Sequence, residues 1–428
     1  MFETDIEKRR INEKALIVGV RPPEESENAA AEHLAELAEL VGNLDIEVAG
    51  EEIVRLKTVQ ARYFVGAGKA EELAAAFAEK KCDLMVFDAE LSPSQQRNWE
   101  RLVKAPVFDR REIILDIFAE RAITREARLQ IELAKLEYLL PRLTGAWTHL
   151  SRQQGGARGT RGEGEKQIEY DRRDVQRKIA GLKAELETVR KQRSVMRKSR
   201  QKSPVAKAAI VGYTNVGKSS LLNALGAAEV LAEDKLFATL DPSTRRVELD
   251  GHTVLLMTDT VGFVRKLPHN LVAAFKSTLE EAVFSDFLVV VLDASSEFLE
   301  EHWETTIGVL NELGAADREM LVVFNKCDLP HDPTLEARAR GLFPSGIFVS
   351  VKTGAGMDVL RRELTAMARR HRRTLKVFLP PDRSDLAALA RRSGEVYEAE
   401  YDDFGNLNMV FSIPVPLEEQ YRPYFVCK

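Results

Sequence analysis

Short apolar segments alternate with amphipathic, helix-forming segments in the first third of the chain. Three of the apolar segments predict strands: "ALIVGV" at 15–20, "IEVAGEEIV" at 46–54 and "DLMVFD" at 83–88. The intervening and following segments predict helices at 28–42, 69–80 and 92–104. Because strands that alternate with helices are typical of a mainly parallel sheet, residues 1–124 are predicted to form a small α/β domain.

The next segment, residues 125–203, has the periodicity of long helices. Apolar residues step by three and four before and after a glycine-rich break at Gly155–Glu165. They are Leu129, Leu133, Leu136, Leu140 and Leu143 before the break, and Val175, Ile179, Leu182, Leu186, Val189 and Met196 after it. Two such seams predict an antiparallel helical hairpin whose tip is a flexible glycine-rich loop.

Beyond residue 204 the alternation of apolar and helical segments returns. Five runs predict strands: "AKAAIVG", "TVLLMTD", "DFLVVVLDAS", "MLVVFNKCD" and "GIFVSVK". Because strands that are apolar throughout are buried on both faces, residues 204–373 are predicted to form a doubly wound α/β domain. Residues 374–428, with a hairpin turn at Asp402–Asn406, predict a small α+β module, so the fold class is α/β with four parts.

Charge is distributed unevenly along this chain of 428 residues, whose net charge is −5. Residues 151–202 hold 16 Lys/Arg and 7 Asp/Glu, a net +9 (16 − 7), which leaves −14 for the rest (−5 − 9). One basic segment on an acidic body favours local contact with a nucleic acid or another polyanion. The alternative is a coiled-coil spacer with a solvated loop.

The three cysteines, Cys82, Cys327 and Cys427, are scattered and fit no disulfide framework or metal spacing. The N-terminal residues lack the apolar core of a signal peptide, and no run of 18 apolar residues occurs. We therefore predict a cytoplasmic protein without a membrane span, and peripheral association with a membrane stays open.

The segment "GYTNVGKSS" fits the pattern G-x-x-x-x-G-K-[ST] of a phosphate-binding loop and lies between an apolar strand and a helical segment. Its glycines let backbone N–H groups surround the phosphates, Lys218 neutralises the β- and γ-phosphates, and the Ser219 hydroxyl is a ligand for Mg²⁺. The predicted nucleotide-binding residues of this loop are Gly212, Tyr213, Thr214, Asn215, Val216, Gly217, Lys218, Ser219 and Ser220.

The segment "TDTVGF" at 258–263 follows the loop by about 40 residues, the spacing of a γ-phosphate-sensing switch. Asp259 is predicted to hold Mg²⁺ through water and Gly262 to meet the γ-phosphate. Thr239, in "FATLDPSTRR", is predicted to complete the Mg²⁺ ligands, with Thr244 as the alternative. Phe237, in the same segment, is predicted to contact the bound nucleotide, GTP. The predicted catalytic residues are Lys218, Thr239 and Gly262, and the predicted metal ligands are Ser219, Thr239 and Asp259.

The segment "NKCD", Asn325–Asp328, predicts which base is bound. The Asp328 carboxylate can accept two hydrogen bonds from the adjacent N1–H and amine of guanine, a pair that adenine lacks. Asn325 is predicted to brace the loop and Lys326 to lie over the ring. Ser350, Val351 and Lys352 follow another strand and are predicted to offer a backbone N–H to the guanine carbonyl.

With these motifs, the chain resembles the HflX family of ribosome-associated GTPases over residues 15–370. The resemblance rests on "YFVGAGKAEEL", "DRREIILDIFAERAITREARLQIELAKLEYLLPRL", "GGARGTRGEGEKQIEYDRR" and "FATLDPSTRR". It implies GTP and GDP as ligands, binding to the large ribosomal subunit and its RNA, and the splitting or rescue of stalled ribosomes under stress. By this resemblance, the RNA-facing residues are Gly155, Gly156, Arg158, Gly159, Arg161, Arg172 and Arg173. Adenine-nucleotide binding (ATP) is also implied for the N-terminal domain, where Gly66–Lys69 could hold a phosphate, although a tight turn at a helix start, or an RNA contact, is the simpler interpretation.

Phe263 stands where many nucleotide-hydrolysing switches carry a glutamine that orients the attacking water. This predicts slow hydrolysis by the isolated protein, with the ribosome completing the site. A K⁺ ion near Asn215 and an internal arginine, Arg245 or Arg246, are alternative sources of charge. Two other functions stay open: a GTP-gated factor for ribosome assembly, and a regulatory GTPase whose hairpin binds a protein helix.

Overall fold

A computed structural model describes residues 13–143, 161–201, 205–226, 237, 242–250, 253–265, 282–329, 333–370 and 372–426. The chain divides into two compact units, residues 1–188 with 267–274, and residues 189–266 with 275–428. Among the described residues, no helix is both long and apolar enough to cross a membrane. The bounds of the four predicted domains stay predictions, because the division into units does not test them.

A parallel sheet forms the centre of the first unit, in the order β2–β1–β3–β4. Its strands are β1 (Lys14–Arg21), β2 (Glu47–Arg55), β3 (Leu84–Phe87) and β4 (Val107–Asp109). The helices are α1 (Glu27–Gly42), α2 (Ala67–Glu79), α3 (Pro93–Val103) and α4 (Arg110–Arg121). The three predicted strands and three predicted helices are confirmed. Strand β4 was missed because its three residues, "VFD", are too few to show a period, and α4 was missed as well.

Two further helices, α5 (Arg125–Leu139) and α6 (Arg161–Gln201), occupy the segment predicted to form a hairpin. The most buried face of α5 carries Ala127, Ile131, Ala134 and Tyr138 rather than the predicted leucine seam, of which only Leu129 is buried. The remaining leucines before the break, Leu133, Leu136, Leu140 and Leu143, are half-buried, and α5 packs against α4. The antiparallel arrangement stays a prediction, because the tip lies outside the described residues.

Arg142 fixes the end of α5 to the carboxyl edge of the first sheet. Its guanidinium donates to the Leu91 carbonyl at 2.9 Å, to Asp109 at 3.2 Å and to the Gln96 side chain at 2.8 Å. The same group lies 3.5 Å from the centre of the Tyr138 ring. Salt bridges Arg125–Glu185 (2.5 Å) and Lys183–Glu137 (2.8 Å) join α5 to α6. The base of the predicted hairpin is therefore held by directional contacts to the N-terminal domain.

A six-stranded sheet lies in the second unit, in the order β10–β9–β8–β5–β7–β6. Its strands are β5 (Ala206–Gly212), β6 (Ser243–Asp250), β7 (Thr253–Asp259), β8 (Phe287–Asp293), β9 (Glu319–Asn325) and β10 (Ile347–Phe348), with β6 alone antiparallel to its neighbour. The associated helices are α7 (Lys218–Leu225), α8 (Leu299–Leu313), α9 (Pro333–Leu342) and α10 (Met357–Arg370). The parallel strands place their carboxyl ends along one edge, where α/β sheets bind ligands.

The C-terminal residues form an antiparallel sheet in the order β11–β13–β12. Its elements are β11 (Arg372–Leu379), α11 (Ser384–Ser393), β12 (Glu395–Tyr401), β13 (Leu407–Pro414) and α12 (Glu418–Tyr421). The predicted turn is confirmed, since the Asp402 carboxylate accepts from the backbone N–H groups of Phe404 and Asn406 at 2.9 and 2.8 Å. One face of the sheet packs around Phe411 and Tyr421, and the predicted α+β module is confirmed.

Candidate nucleotide site

The predicted phosphate loop runs from the end of β5 to the start of α7. Gly217 has a φ of 89°, and a β-carbon at this position would lie too close to the Asn325 amide nitrogen, so both the backbone conformation and the space require glycine. Asn215 also has a positive φ, of 58°. The loop therefore presents its backbone toward the N-terminus of α7, where N–H groups favour an anion.

Lys218 is buried within this loop, with 6% of its surface exposed. Its Nζ donates to the carbonyl oxygen of Tyr213 at 2.5 Å, across the space that the loop encloses. Burial lowers the pKa of Lys218 to about 8, and the nearby Asp259 carboxylate partly offsets that shift. Because burial disfavours the charged form of this amine, a phosphate anion in place of the neutral carbonyl should stabilise the ammonium form of Lys218.

Ser219 and Asp259 bring two oxygen donors together, since the Ser219 hydroxyl donates to Asp259 Oδ2 at 2.6 Å. Hard oxygen ligands of this kind fit Mg²⁺, which is held by one or two protein groups, phosphates and water. No cluster of three or more His, Cys, Asp or Glu suited to a metal occurs among the described residues. When bound, Mg²⁺ would neutralise charge on the β- and γ-phosphates.

Gly262 lies directly against the phosphate loop. A β-carbon at this position would lie 2.8 Å from Thr214 Cγ2 and 2.9 Å from Lys218 Nζ. The following residue pairs with the loop through its backbone, because the Phe263 N–H donates to the Gly212 carbonyl at 3.0 Å and its carbonyl accepts from the Thr214 N–H at 2.7 Å. The Phe263 side chain is only 1% exposed, so this residue anchors the segment and offers no group that could orient water.

Tyr213 adds a third connection that the sequence did not predict. Its hydroxyl accepts from the backbone N–H of Arg265 at 2.9 Å, and its ring stacks on His302 with centroids 4.0 Å apart. His302 belongs to α8 and has no motif around it, so no signal in the sequence could have identified this contact. Together these contacts hold residues 262–265 against the phosphate loop.

Asn325 connects the predicted base-binding motif to the phosphate loop. Its amide nitrogen donates to the Val216 carbonyl at 2.9 Å, and its amide oxygen accepts from the Val351 N–H at 3.2 Å. The side chain is buried. The bracing predicted for Asn325 therefore matches the geometry and joins three of the predicted motifs.

Asp328 is exposed at the end of the same motif and accepts a hydrogen bond from the Ser350 hydroxyl at 2.6 Å. That bond holds the pKa of Asp328 below its usual range, so the carboxylate stays ionised and available as an acceptor. Lys326 Nζ forms an ion pair with Asp293 at 2.8 Å. Asp293 was missed, although its place at the end of an apolar strand was a usable signal.

Several predicted residues lie outside this assembly. Thr239 and the tip residues Gly155, Gly156, Arg158 and Gly159 lie outside the described residues, as does the side chain of Arg161. Arg172 and Arg173 are exposed on α6, and Arg173 contacts Glu169 at 3.1 Å. Phe237 is buried.

The residues predicted as alternative metal ligands or catalytic groups already have hydrogen-bond or ion-pair partners. The Thr244 hydroxyl lies 2.8 Å from that of Thr258, Arg245 donates to Asn223 at 3.0 Å, and Arg246 lies 3.6 Å from Glu248. At Gly66–Lys69, Lys69 contacts Glu72 at 2.8 Å and Gly66 supplies no side-chain cap to α2. Phosphate binding at Gly66–Lys69 stays a prediction.

A phosphate loop, a switch segment against it and a guanine-selective motif meet at the carboxyl edge of one α/β sheet, which defines a P-loop GTPase. Family models match as "GTP-binding GTPase N-terminal" over 31–119, "GTP-binding GTPase Middle Region" over 121–200 and "50S ribosome-binding GTPase" over 207–326. GTPase HflX of Akkermansia muciniphila is 49% identical over 95% of each chain, and GTPase HflX of Escherichia coli 40% over 90% of each. The chain belongs to the HflX family of GTPases.

A solved structure of SsGBP in complex with GDP is also similar to the chain. It has 25% sequence identity and a TM-score of 0.48, and it covers 84% of this chain and 99% of its own. Membership of the HflX family carries GTP hydrolysis as the activity, and P-loop GTPases generally use Mg²⁺.

The lowered pKa of Lys218 predicts proton uptake when GTP binds. At pH 8 about half of the free protein has an uncharged Lys218, whereas the phosphates hold the ammonium form in the complex. We expect an uptake of about half a proton at pH 8 that declines toward pH 7, and an affinity that falls as pH rises above 8. Titration calorimetry in two buffers of different ionisation enthalpy measures the number of protons taken up.

Lys218→Arg is the matched control. Because a guanidinium is already charged in the free protein, the proton uptake on GTP binding should vanish in this variant. An uptake near zero at pH 8 in the unsubstituted protein would contradict the assignment.

Proposed function

We propose that this GTPase binds the large ribosomal subunit, hydrolyses GTP there and splits or rescues stalled ribosomes under stress. The observation that carries the proposal is α6, a helix of 41 residues that lies in the segment of net +9. Arg172, Arg173 and Arg177 are exposed on it and can reach phosphate groups. The match to a "50S ribosome-binding GTPase" model over 207–326 supports the same partner.

The switch would operate through the segment after Asp259. When GTP is bound, the Gly262 N–H can meet the γ-phosphate, and Thr239 is proposed to complete the Mg²⁺ ligands. Hydrolysis would release both segments, so that GTP favours the ribosome-bound state and GDP favours departure. Phe263 is buried and holds the loop through its backbone, which leaves the water without a side-chain partner at this position.

We therefore propose that contact with the ribosome supplies the missing catalytic help. Single-turnover hydrolysis should be slow in the isolated protein and accelerate by about a hundredfold or more with saturating large subunits, because external completion of such sites has effects of that size. Equal rates with and without subunits would reject this proposal. The same assay in K⁺ and Na⁺ tests the alternative that K⁺ near Asn215 supplies charge, and equal rates in both salts would exclude it.

The RNA contact is tested by reversing charge on α6. Arg172→Glu with Arg173→Glu should weaken co-sedimentation with large subunits and reduce the stimulated rate, while intrinsic hydrolysis stays unchanged. The matched control reverses Arg391 and Arg392, which are exposed on α11 in the C-terminal module. Equal losses in both variants would show that the effect is nonspecific.

Light scattering of intact ribosomes decides whether binding leads to splitting. A splitting factor lowers the scattering when GTP is added, whereas an assembly factor leaves it unchanged while still binding free subunits. Loss of co-sedimentation in all conditions would instead favour the regulatory GTPase.

A further inference from the structure

Strand β12 forms an exposed edge of the C-terminal sheet. In the described part of the chain it pairs only with β13, whereas Val426 bonds to the carbonyl of Lys376 on the opposite strand, β11. Residues 397–401 of β12 are all exposed. An edge strand of this kind presents backbone donors and acceptors that can pair with another extended segment.

The sequence of this edge and its hairpin, "EVYEAEYDD" at 395–403, carries five carboxylates and no lysine or arginine. Glu398 and Glu400 align with Val410 and Asn408 of β13, so both belong to the sheet face opposite the module core. Asp402 holds the turn, and the hydrogen bond from the Asn406 side chain keeps its pKa below the usual range. The edge therefore carries a concentrated negative charge.

Three aromatic side chains stand exposed among these carboxylates. The exposed fractions are 54% for Tyr397, 64% for Tyr401 and 87% for Phe404 at the tip of the hairpin. Aromatic faces attract ammonium and guanidinium groups. The Tyr401 hydroxyl, at the edge of its ring, accepts a hydrogen bond from the Arg391 guanidinium at 3.3 Å. The Glu398 and Glu400 carboxylates on the outer face therefore favour a cationic ligand, and the exposed rings add apolar surface beside them.

We propose that β12 and its hairpin dock an extended, lysine- and arginine-rich segment of a partner protein by strand addition. Backbone pairing supplies the affinity, and alternate basic side chains of the added strand meet Glu398 and Glu400 on the outer face of the sheet. Tyr401 aligns with Leu407 and therefore belongs to the other face, where it can contact the intervening side chains. A nucleic acid is disfavoured because its phosphates would face five carboxylates. A second copy is disfavoured because two acidic edges would repel each other, which is how charged edge strands prevent self-association.

The test uses the full-length protein and a fluorescent eight-residue peptide of alternating lysine and valine. Glu398→Lys with Glu400→Lys should weaken its binding by about tenfold or more, because each attraction becomes a repulsion. Glu418→Lys with Glu419→Lys on α12 is the matched control and should bind as the unsubstituted protein does. Hydrogen exchange should show that the peptide protects residues 395–401, and intrinsic GTP hydrolysis reports that each variant is folded.

Equal peptide binding by the Glu398/Glu400 variant would overturn the proposal, as would protection confined to other strands. Protection of 395–401 by a uridine oligonucleotide instead of the peptide would identify an RNA surface and reject it. A concentration-dependent dimer of the unsubstituted protein that the same substitutions abolish would identify a second copy as the occupant and reject it as well.

Discussion

Replacing Asp328 by asparagine should lower the affinity for GTP by about a thousandfold and create affinity for xanthosine triphosphate. The carboxylate can accept from both N1–H and the exocyclic amine of guanine, whereas the amide of asparagine turns one acceptor into a donor. Xanthine carries a carbonyl in place of that amine and matches the amide. Competition binding with GTP, ATP and xanthosine triphosphate measures this change in base preference.

The control substitution is Asp358→Asn, since Asp358 is an exposed carboxylate at the start of α10 that pairs with Arg362. It should leave both affinities unchanged. If the Asp328 variant retains its affinity for GTP, or gains none for the xanthine nucleotide, then Asp328 does not read the base.

Gly262→Ala should reduce single-turnover hydrolysis by about a hundredfold, the effect of removing one donor from a charged transition state. The added β-carbon would lie 2.8 Å from Thr214 Cγ2 and 2.9 Å from Lys218 Nζ, so the segment must move away from the phosphate loop. That movement would strain the two backbone hydrogen bonds of Phe263 and withdraw the Gly262 N–H from the γ-phosphate.

Gly308→Ala is matched to this change, because Gly308 lies within α8 and a β-carbon there would meet no atom within 4 Å. It should hydrolyse GTP at the normal rate and be slightly more stable, since alanine favours a helix. A Gly262→Ala rate within about threefold of normal, measured at saturating GTP, would show that close approach at this position is unnecessary.

The structure brings the predicted motifs together because each of them follows a strand of the central sheet. Parallel strands end at one edge, so the order of Lys218, Asp259, Asn325 and Ser350 along the chain already implied that they meet. The central strands of both α/β sheets were predicted because their residues are mainly apolar.

Other features depend on contacts between distant segments. Strand β6 was missed because "STRRVELD" has exposed polar residues and acquires its structure by pairing with β7. The stack of Tyr213 on His302 joins residues far apart in the chain and leaves no local pattern. The leucine seam of α5 was predicted to be the buried face, but Ile131 and Tyr138 are buried there instead, because long-range packing decides which face is covered.

Asn325 has one further consequence for how a nucleotide leaves. Its amide spans the carbonyl of Val216 on the phosphate side and the N–H of Val351 on the base side. Breaking the hydrogen bond at either end also weakens the support of the other end. The phosphates and the base of a bound nucleotide should therefore dissociate together. A partner that accelerates nucleotide exchange would then need to disturb only one end of the pocket, and the amide would transmit that disturbance to the other.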